Sequence, residues 1–159
     1  MASLPVLSIS TEADNFFDYF DGIYVRGRTY EDAIARGTDG GHAANYYQGW
    51  SRPVCVEFFT TQKDKTFQED MTVQMLDDFS ITSSQKSMQF TGNVAAGMGT
   101  GLENYYRDPE MTLTLQTHRR DNDYMTRDYL AQRLLAGTTV RSRDMQPCAV
   151  FLNGEYWGV

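Results

Sequence analysis

The stretch RPVCVEFFT, from Arg52 to Thr60, predicts the strand around which the rest of the chain folds. Its apolar residues do not keep to every second position, which is typical of a strand that is covered on both faces near the middle of a sheet. Three stretches further along the chain also have the length and the alternation of strands. They are MTVQML at 71–76, QKSMQF at 85–90 and MTLTLQTH at 111–118. This succession predicts a mixed or antiparallel sheet.

Shorter elements are predicted on both sides of these strands. The dipeptide Asn153-Gly154 predicts a hairpin, because both residues tolerate the positive φ that a two-residue turn requires. Residues 123–136 have the spacing of a helix, and its apolar stripe consists of Met125, Tyr129, Leu130 and Leu134. Upstream we expect a strand at 6–10, a short helix or turn at 11–20 and a second strand at 22–25. A helix at 29–37, closed by Gly37, and a glycine-rich loop at 37–49 should follow. The predicted fold class is α+β with a few helices, in a single domain over 1–159.

The composition is that of a folded chain, with 41% hydrophobic and 13% aromatic residues among 159. This is enough apolar material for one core. The formal net charge of −7 repels phosphate backbones, so we expect no nucleic-acid partner. No uninterrupted apolar stretch approaches the roughly 18 residues of a membrane span, and the first residues lack the basic, then apolar, pattern of a signal peptide.

The two cysteines, Cys55 and Cys148, both lie in apolar, strand-like runs. A small buried hydrophobic residue is the favoured interpretation of such a cysteine, and a disulfide between the two is the alternative. Neither has a cysteine or a histidine at the spacing of metal ligands, so the sequence predicts no zinc site.

The lysine in QKSMQF is the most unusual candidate for a functional residue. Side chains alternate across a strand, so Lys86 points to the same face as Met88 and Phe90, which is the expected core side. A lysine there must either extend its ammonium group out of the sheet's end or meet an anion, because an unpaired buried charge is costly. The pattern alone favours the first interpretation. If Lys86 instead binds phosphate, we expect a concave site with a carboxylate partner, Glu57 or Glu103.

Other candidate residues have ordinary interpretations. The glycine-rich stretch 92–101 lacks the Gly-Lys-Ser/Thr ending of a phosphate-binding loop, so we interpret it as a connecting loop. His42 and His118 accompany no nucleophile pattern and are interpreted as surface residues.

Three acidic residues could hold magnesium, but they also lie near the predicted start of a helix, where carboxylates cap the helix and interact favourably with its dipole. These residues are Asp121, Asp123 and Asp128. Capping is the favoured interpretation, with Arg119, Arg120 and Arg127 as charge partners. The sequence therefore assigns no metal ligand.

Five segments, taken in order, add a family resemblance: GIYVRG, NYYQGWSRPVCVEFF, SSQKSMQF, LTLQTHRRDNDYMTRDYLAQRLL and CAVFLNGEYWGV. Together they resemble the CotH family of spore-coat kinases and their secreted relatives in Gram-positive bacteria, over about Leu7 to Val159. The resemblance implies an atypical protein-kinase-like fold that binds ATP and magnesium and phosphorylates serine or threonine of secreted or coat proteins. It also implies a phosphate contact for Lys86, a protein substrate or scaffold partner, and a location outside the cell or on the cell or spore surface.

The resemblance further implies that the acids that bind metal and catalyse transfer lie beyond Val159. We therefore expect 1–159 to be an incomplete, amino-terminal part of a CotH kinase-like domain, inactive by itself. Several positions that are commonly basic or flexible in the family hold neutral or acidic residues here: Gln74, Asp77, Ile81 and Gln116.

These departures motivate an alternative function. The chain would then be a non-catalytic CotH-like scaffold or binding module of a secreted bacterial surface protein, one that could belong to carbohydrate-degrading machinery. The rings of Tyr46, Tyr47 and Trp50 could stack on sugars if they are exposed, although rings of a β-rich domain usually pack in the core.

Overall fold

A computed structural model gives the fold and describes residues 4–38, 40–92, 112–117, 127–135, 138–140 and 145–159. The strands are β1 (Val6–Ser10), β2 (Ser51–Phe59), β3 (Lys65–Met75), β4 (Met88–Thr91), β5 (Thr112–Leu115), β6 (Ala149–Leu152) and β7 (Glu155–Gly158). The helices are α1 (Ala13–Phe17), α2 (Gly27–Ala35) and α3 (Arg127–Leu135), and two 3₁₀ turns occupy Gly40–His42 and Asn45–Tyr47.

The strands form one sheet in the order β5-β4-β3-β2-β1-β6-β7. Strands β1 and β6 are parallel, and the other neighbouring pairs are antiparallel. The mixed sheet and its three helices confirm the predicted α+β class. Within the described residues, no helix is both long enough and apolar enough to cross a membrane.

Strand β2 lies in the interior of the sheet, as its sequence predicts. The core face carries Val54, Val56 and Phe58, all buried, whereas Pro53 on the other face is exposed. The expectation that both faces are covered is therefore wrong at Pro53. An antiparallel sheet can leave one face open to solvent, and this one does so there.

Strand β3 begins at Lys65, earlier than the prediction from residue 71. Its added portion is mostly polar, so the sequence has no hydrophobic run there. Pairing with β2 nevertheless supplies its backbone partners, since Phe58 lies opposite Phe67 in the hairpin that joins the two strands. Within the predicted part, the expected inward residues Met71, Val73 and Met75 are buried.

The prediction of a strand over Gly22–Val25 is wrong. This segment forms turns that pack on α1, where Ile23 N–H donates to Asn15 O and Tyr24 N–H donates to Phe16 O. The backbone groups that a sheet would pair are used by the helix instead. Both Ile23 and Tyr24 are buried, so an apolar segment has entered the core without joining the sheet.

The predicted hairpin near the end of the chain is confirmed. Asn153 and Gly154 have φ values of 49° and 83°, which a two-residue turn of this kind requires. The Asn153 side chain also accepts a hydrogen bond from Thr11 N–H at 2.9 Å, so the turn is tied to the end of β1.

Helix α3 confirms the predicted helix only within the described residues. Leu130 is 56% exposed and Leu134 is 82% exposed, so this part of the predicted apolar stripe does not pack on the core. The two cysteines, Cys55 and Cys148, are free thiols and half-buried, and Cys148 packs against the core.

Candidate functional site around Lys86

Lys86 comes just before β4, at the end of the connection 76–87 from β3. Lys86, Met88 and Phe90 are buried as predicted, but β4 begins only at Met88, and Ser87, which was expected on the other face, is buried as well. The side chain is only 5% exposed, so its ammonium group does not extend to solvent, and the favoured interpretation from pattern alone is wrong.

The ammonium group of Lys86 is bound by the chain itself. Its Nζ donates to the backbone oxygens of Ile81 at 2.7 Å and Ser83 at 2.8 Å. It also lies 4.4 Å from the ring centroid of Tyr46 and 5.2 Å from that of Tyr24, within the range of cation–π attraction. Two carbonyl groups and two aromatic faces therefore replace water around this charge.

The expected carboxylate partner is not Glu57. Glu57 points to the face of β2 opposite Val56 and Phe58, and it pairs with Lys65 at 3.2 Å. The Lys86 ammonium group instead contacts Ile81 O, Ser83 O and the rings of Tyr24 and Tyr46. The other candidate, Glu103, lies outside the described residues.

A second cation, Arg26, lies near Lys86. Burial, together with the positive charge of Arg26, lowers the pKa of Lys86 to about 8. Arg26 is exposed, and its guanidinium carbon lies 5.1 Å from the ring centroid of Tyr30. Among the described residues, neither Lys86 nor Arg26 forms an ion pair with an acid. In a chain of net charge −7, two neighbouring cations that no acid of the described part pairs with favour an anionic ligand.

The connection 76–87 is held by a buried network of hydroxyl groups. Ser80 Oγ donates to Asp78 Oδ1 at 2.6 Å, and it accepts a hydrogen bond from Ser87 N–H at 2.7 Å. Ser87 Oγ in turn accepts from Thr117 N–H at 3.1 Å. Leu76 N–H donates to Ser87 O and closes the base of the connection. The network thereby fixes both ends of the connection and ties it to the chain just after β5.

Tyr24 connects this segment to the core. Its hydroxyl group donates to Ser84 O at 2.7 Å and accepts from Lys86 N–H at 3.0 Å. The ring packs edge-on against Trp157, with 5.4 Å between centroids. Burial raises the pKa of Tyr24, and the hydrogen bond from Lys86 opposes this effect. The Tyr24 hydroxyl group therefore binds the backbone on both sides of Gln85, at Ser84 and at Lys86.

The family model described as CotH kinase protein matches residues 78–159, just over half of the chain. The chain belongs to the CotH family. Comparisons with curated proteins and with solved structures give no match. The matched part includes Lys86, most of its connection and the hairpin around Asn153, whereas Tyr24 and Arg26 precede it.

The four residues that were expected to depart from the CotH pattern lie in different places relative to Lys86. Ile81 is buried and its carbonyl accepts from Lys86, so this departure lies at the ammonium group itself. Gln116 and Lys86 line a cavity of about 10 Å³, which is no larger than one water molecule needs. Gln74 lies on the other face of the sheet, where it donates to Gln89 at 3.3 Å. Asp77 is exposed on the connection from β3.

The aromatic candidates are core residues. Tyr46 is buried, while Tyr47 and Trp50 are half-buried and pack against the core, which confirms the usual interpretation of such rings. His42 is on the surface, as expected, with its ring 4.9 Å from that of Tyr47.

Several other candidates lie outside the described residues. They are residues 93–101 of the glycine-rich stretch, His118, Asp121, Asp123 and the side chain of Asp128.

Proposed function

We propose that this chain is the nucleotide-side part of a CotH-type protein kinase, in which Lys86 and Arg26 receive the phosphates of ATP. The observation that carries the proposal is a pair of neighbouring cations that form no ion pair with an acid of the described residues. An anion placed between them would be attracted by both and would offset their mutual repulsion.

The chemistry of the two side chains suits phosphate. An ammonium group and a guanidinium group are both donors without acceptors, and phosphate oxygens accept charge-assisted hydrogen bonds from each. When bound, ATP would supply the phosphoryl group for transfer, with magnesium to neutralise its charge. Within the described residues there is no group of three or more His, Cys, Asp or Glu that could hold a metal ion, so we assign magnesium to none of them.

The substrate class follows from the family alone. We infer a serine or threonine of a secreted or coat protein as the acceptor, and a location at the cell or spore surface of a bacterium. We predict that residues 1–159 do not transfer phosphate by themselves, because the acids that bind metal lie elsewhere in the domain.

Nucleotide binding tests the proposal. Isothermal calorimetry with ATP and magnesium should detect binding by the unaltered chain, and Arg26→Gln should weaken it about tenfold, or about 1.4 kcal/mol, because one charged hydrogen bond is lost. Arg36→Gln is the matched control, since it removes the same charge from an exposed position at the far end of α2. If the two substitutions have equal effects, Arg26 does not contact the nucleotide.

A scaffold without catalytic activity is the second candidate, and one observation favours it. The Lys86 ammonium group already has two carbonyl partners and two aromatic faces, which is what a purely structural lysine would have. In that case ATP should neither bind nor raise the melting temperature at any concentration. A ligand that binds only the folded state adds roughly 2.7 kcal/mol of stability at a hundredfold excess over its Kd, so a melting curve would reveal it.

A further inference from the structure

Lys86 is closed to any ligand in the arrangement observed here. An ammonium group has three donors, and two of them are used by Ile81 O and Ser83 O, while the ring of Tyr46 faces the group at 4.4 Å. The residue is 5% exposed, and the cavity beside it measures only about 10 Å³. A phosphate group could reach Nζ only if part of the protein moved.

The part that blocks access is short. Both carbonyl partners of Lys86 belong to the segment 81–84, and a third carbonyl of the same segment, Ser84 O, accepts from Tyr24. Just before this segment, Ser80 is fixed by its hydrogen bonds to Asp78 and Ser87. The segment therefore has an anchored end at Ser80 and another at Ser87, with its movable contacts between them.

The contacts of the segment 81–84 are few and of different kinds. Ile81 is its single buried residue, at 4% exposed, whereas Thr82 and Ser84 are exposed. Three hydrogen bonds from Lys86 and Tyr24 reach its carbonyl oxygens, and two of its own N–H groups donate back along the connection, Ile81 N–H to Asp78 O at 3.2 Å and Ser83 N–H to Ser80 O at 2.7 Å. The three carbonyl oxygens would be solvated by water if the segment lifted, whereas the side chain of Ile81 would lose its buried environment.

We propose that the segment 81–84 is a lid over Lys86, which Lys86 and Tyr24 hold closed and which must open before a phosphate can bind. The inference rests on the proposed function, and it adds a regulatory step to it. The same ammonium group serves both states: in the closed state it binds the lid's carbonyl oxygens, and in the open state it is free to bind phosphate. The observed affinity for nucleotide is then reduced by the fraction of molecules that are open.

Lysine labelling tests the lid without any nucleotide. The chain contains only three lysines, Lys63, Lys65 and Lys86. A pulse of N-hydroxysuccinimide acetate followed by mass spectrometry gives the acetylation rate of each lysine. We expect Lys86 to react at least tenfold more slowly than exposed Lys63, even though its lowered pKa leaves a larger fraction of its amine unprotonated and reactive at neutral pH.

Two variants should open the lid by different routes. Ile81→Ala removes its apolar anchor, and Tyr24→Phe removes the hydroxyl group that holds Ser84 O while it keeps the ring beside Lys86. We expect each to raise the Lys86 labelling rate about tenfold and to leave Lys63 unchanged. Leu152→Ala is the matched control, because it truncates an equally buried side chain on β6 and should not change the ratio of the two rates.

Calorimetry with ATP and magnesium completes the test. If the lid restricts access, Ile81→Ala should bind ATP several-fold more tightly than the unaltered protein. The proposal is overturned if Lys86 is labelled as fast as Lys63 in the unaltered protein, or if both lid variants fold and leave its rate unchanged. Equal ATP affinity in the unaltered protein and in a variant with faster labelling would also overturn it. Faster labelling without ATP binding by either protein would count against the proposed function alone.

Discussion

Raising the pH from 7 to 9 should stabilise the unaltered protein relative to Lys86→Met. Burial lowers the pKa of Lys86 from its usual 10.5 to about 8 in the folded state. Between these two values the unfolded chain binds more protons than the folded protein, so the free energy of unfolding rises with pH. The penalty of burying the charged lysine is constant well below pH 8 and is relieved as the side chain loses its proton.

The magnitude follows from the difference between the two pKa values. Each pKa unit corresponds to about 1.4 kcal/mol, so full relief amounts to roughly 3 kcal/mol at pH 10.5 and above. Between pH 7 and pH 9 the gain should be about 1 kcal/mol, because the folded-state titration is centred near pH 8. Burial also raises the pKa of Cys148 to about 11 from its usual 9.0, which lowers stability above pH 9. That effect is shared by both proteins and cancels in their difference.

Urea unfolding at pH 7, 8 and 9 measures the effect. The difference in unfolding free energy between the unaltered protein and Lys86→Met should grow by about 1 kcal/mol over this range. Lys63→Gln is the control, since it removes the charge of an exposed lysine. The difference in unfolding free energy between the unaltered protein and this variant should stay constant from pH 7 to pH 9. A difference for Lys86→Met that is flat from pH 7 to pH 9 would refute the assignment of a buried, titrating ammonium group.

Two further substitutions test the parts that hold the site in place. Ser80→Ala should lower the unfolding free energy by about 1–3 kcal/mol, since it leaves the buried N–H of Ser87 without its acceptor. Urea unfolding measures the loss, and an unchanged midpoint would show that the hydroxyl network does not stabilise the connection. Gly154→Ala should cost about 1 kcal/mol, because φ is 83° there and no side chain crowds the position. A melting temperature that does not fall would contradict the turn geometry.

The sheet was predictable where its residues alternate and unpredictable where pairing alone defines a strand. Met71, Val73 and Met75 show the period of two, and the structure buries all three. The start of β3 at Lys65 carries no such pattern, because β2 supplies its partners from across the hairpin. The strand prediction for Gly22–Val25 fails for the opposite reason. Its residues suit a strand, but its backbone hydrogen bonds go to α1.

The burial of Lys86 was also predictable, whereas its surroundings were not. Alternation with Met88 and Phe90 places the lysine in the core. Its partners are backbone carbonyl groups, which every residue has, so no sequence pattern distinguishes them. Tyr24 and Arg26 were missed as site residues because they lie about 60 positions upstream, in a segment that looked like a strand. Only the folded chain brings them to Lys86.

A structure of this chain determined with ATP and magnesium would test the central claim most directly. We expect a phosphate oxygen within hydrogen-bond distance of Lys86 Nζ, the guanidinium group of Arg26 beside the same phosphates, and Ile81 O and Ser83 O displaced from Nζ. A nucleotide bound elsewhere, with Lys86 still bonded to Ile81 and Ser83, would contradict it.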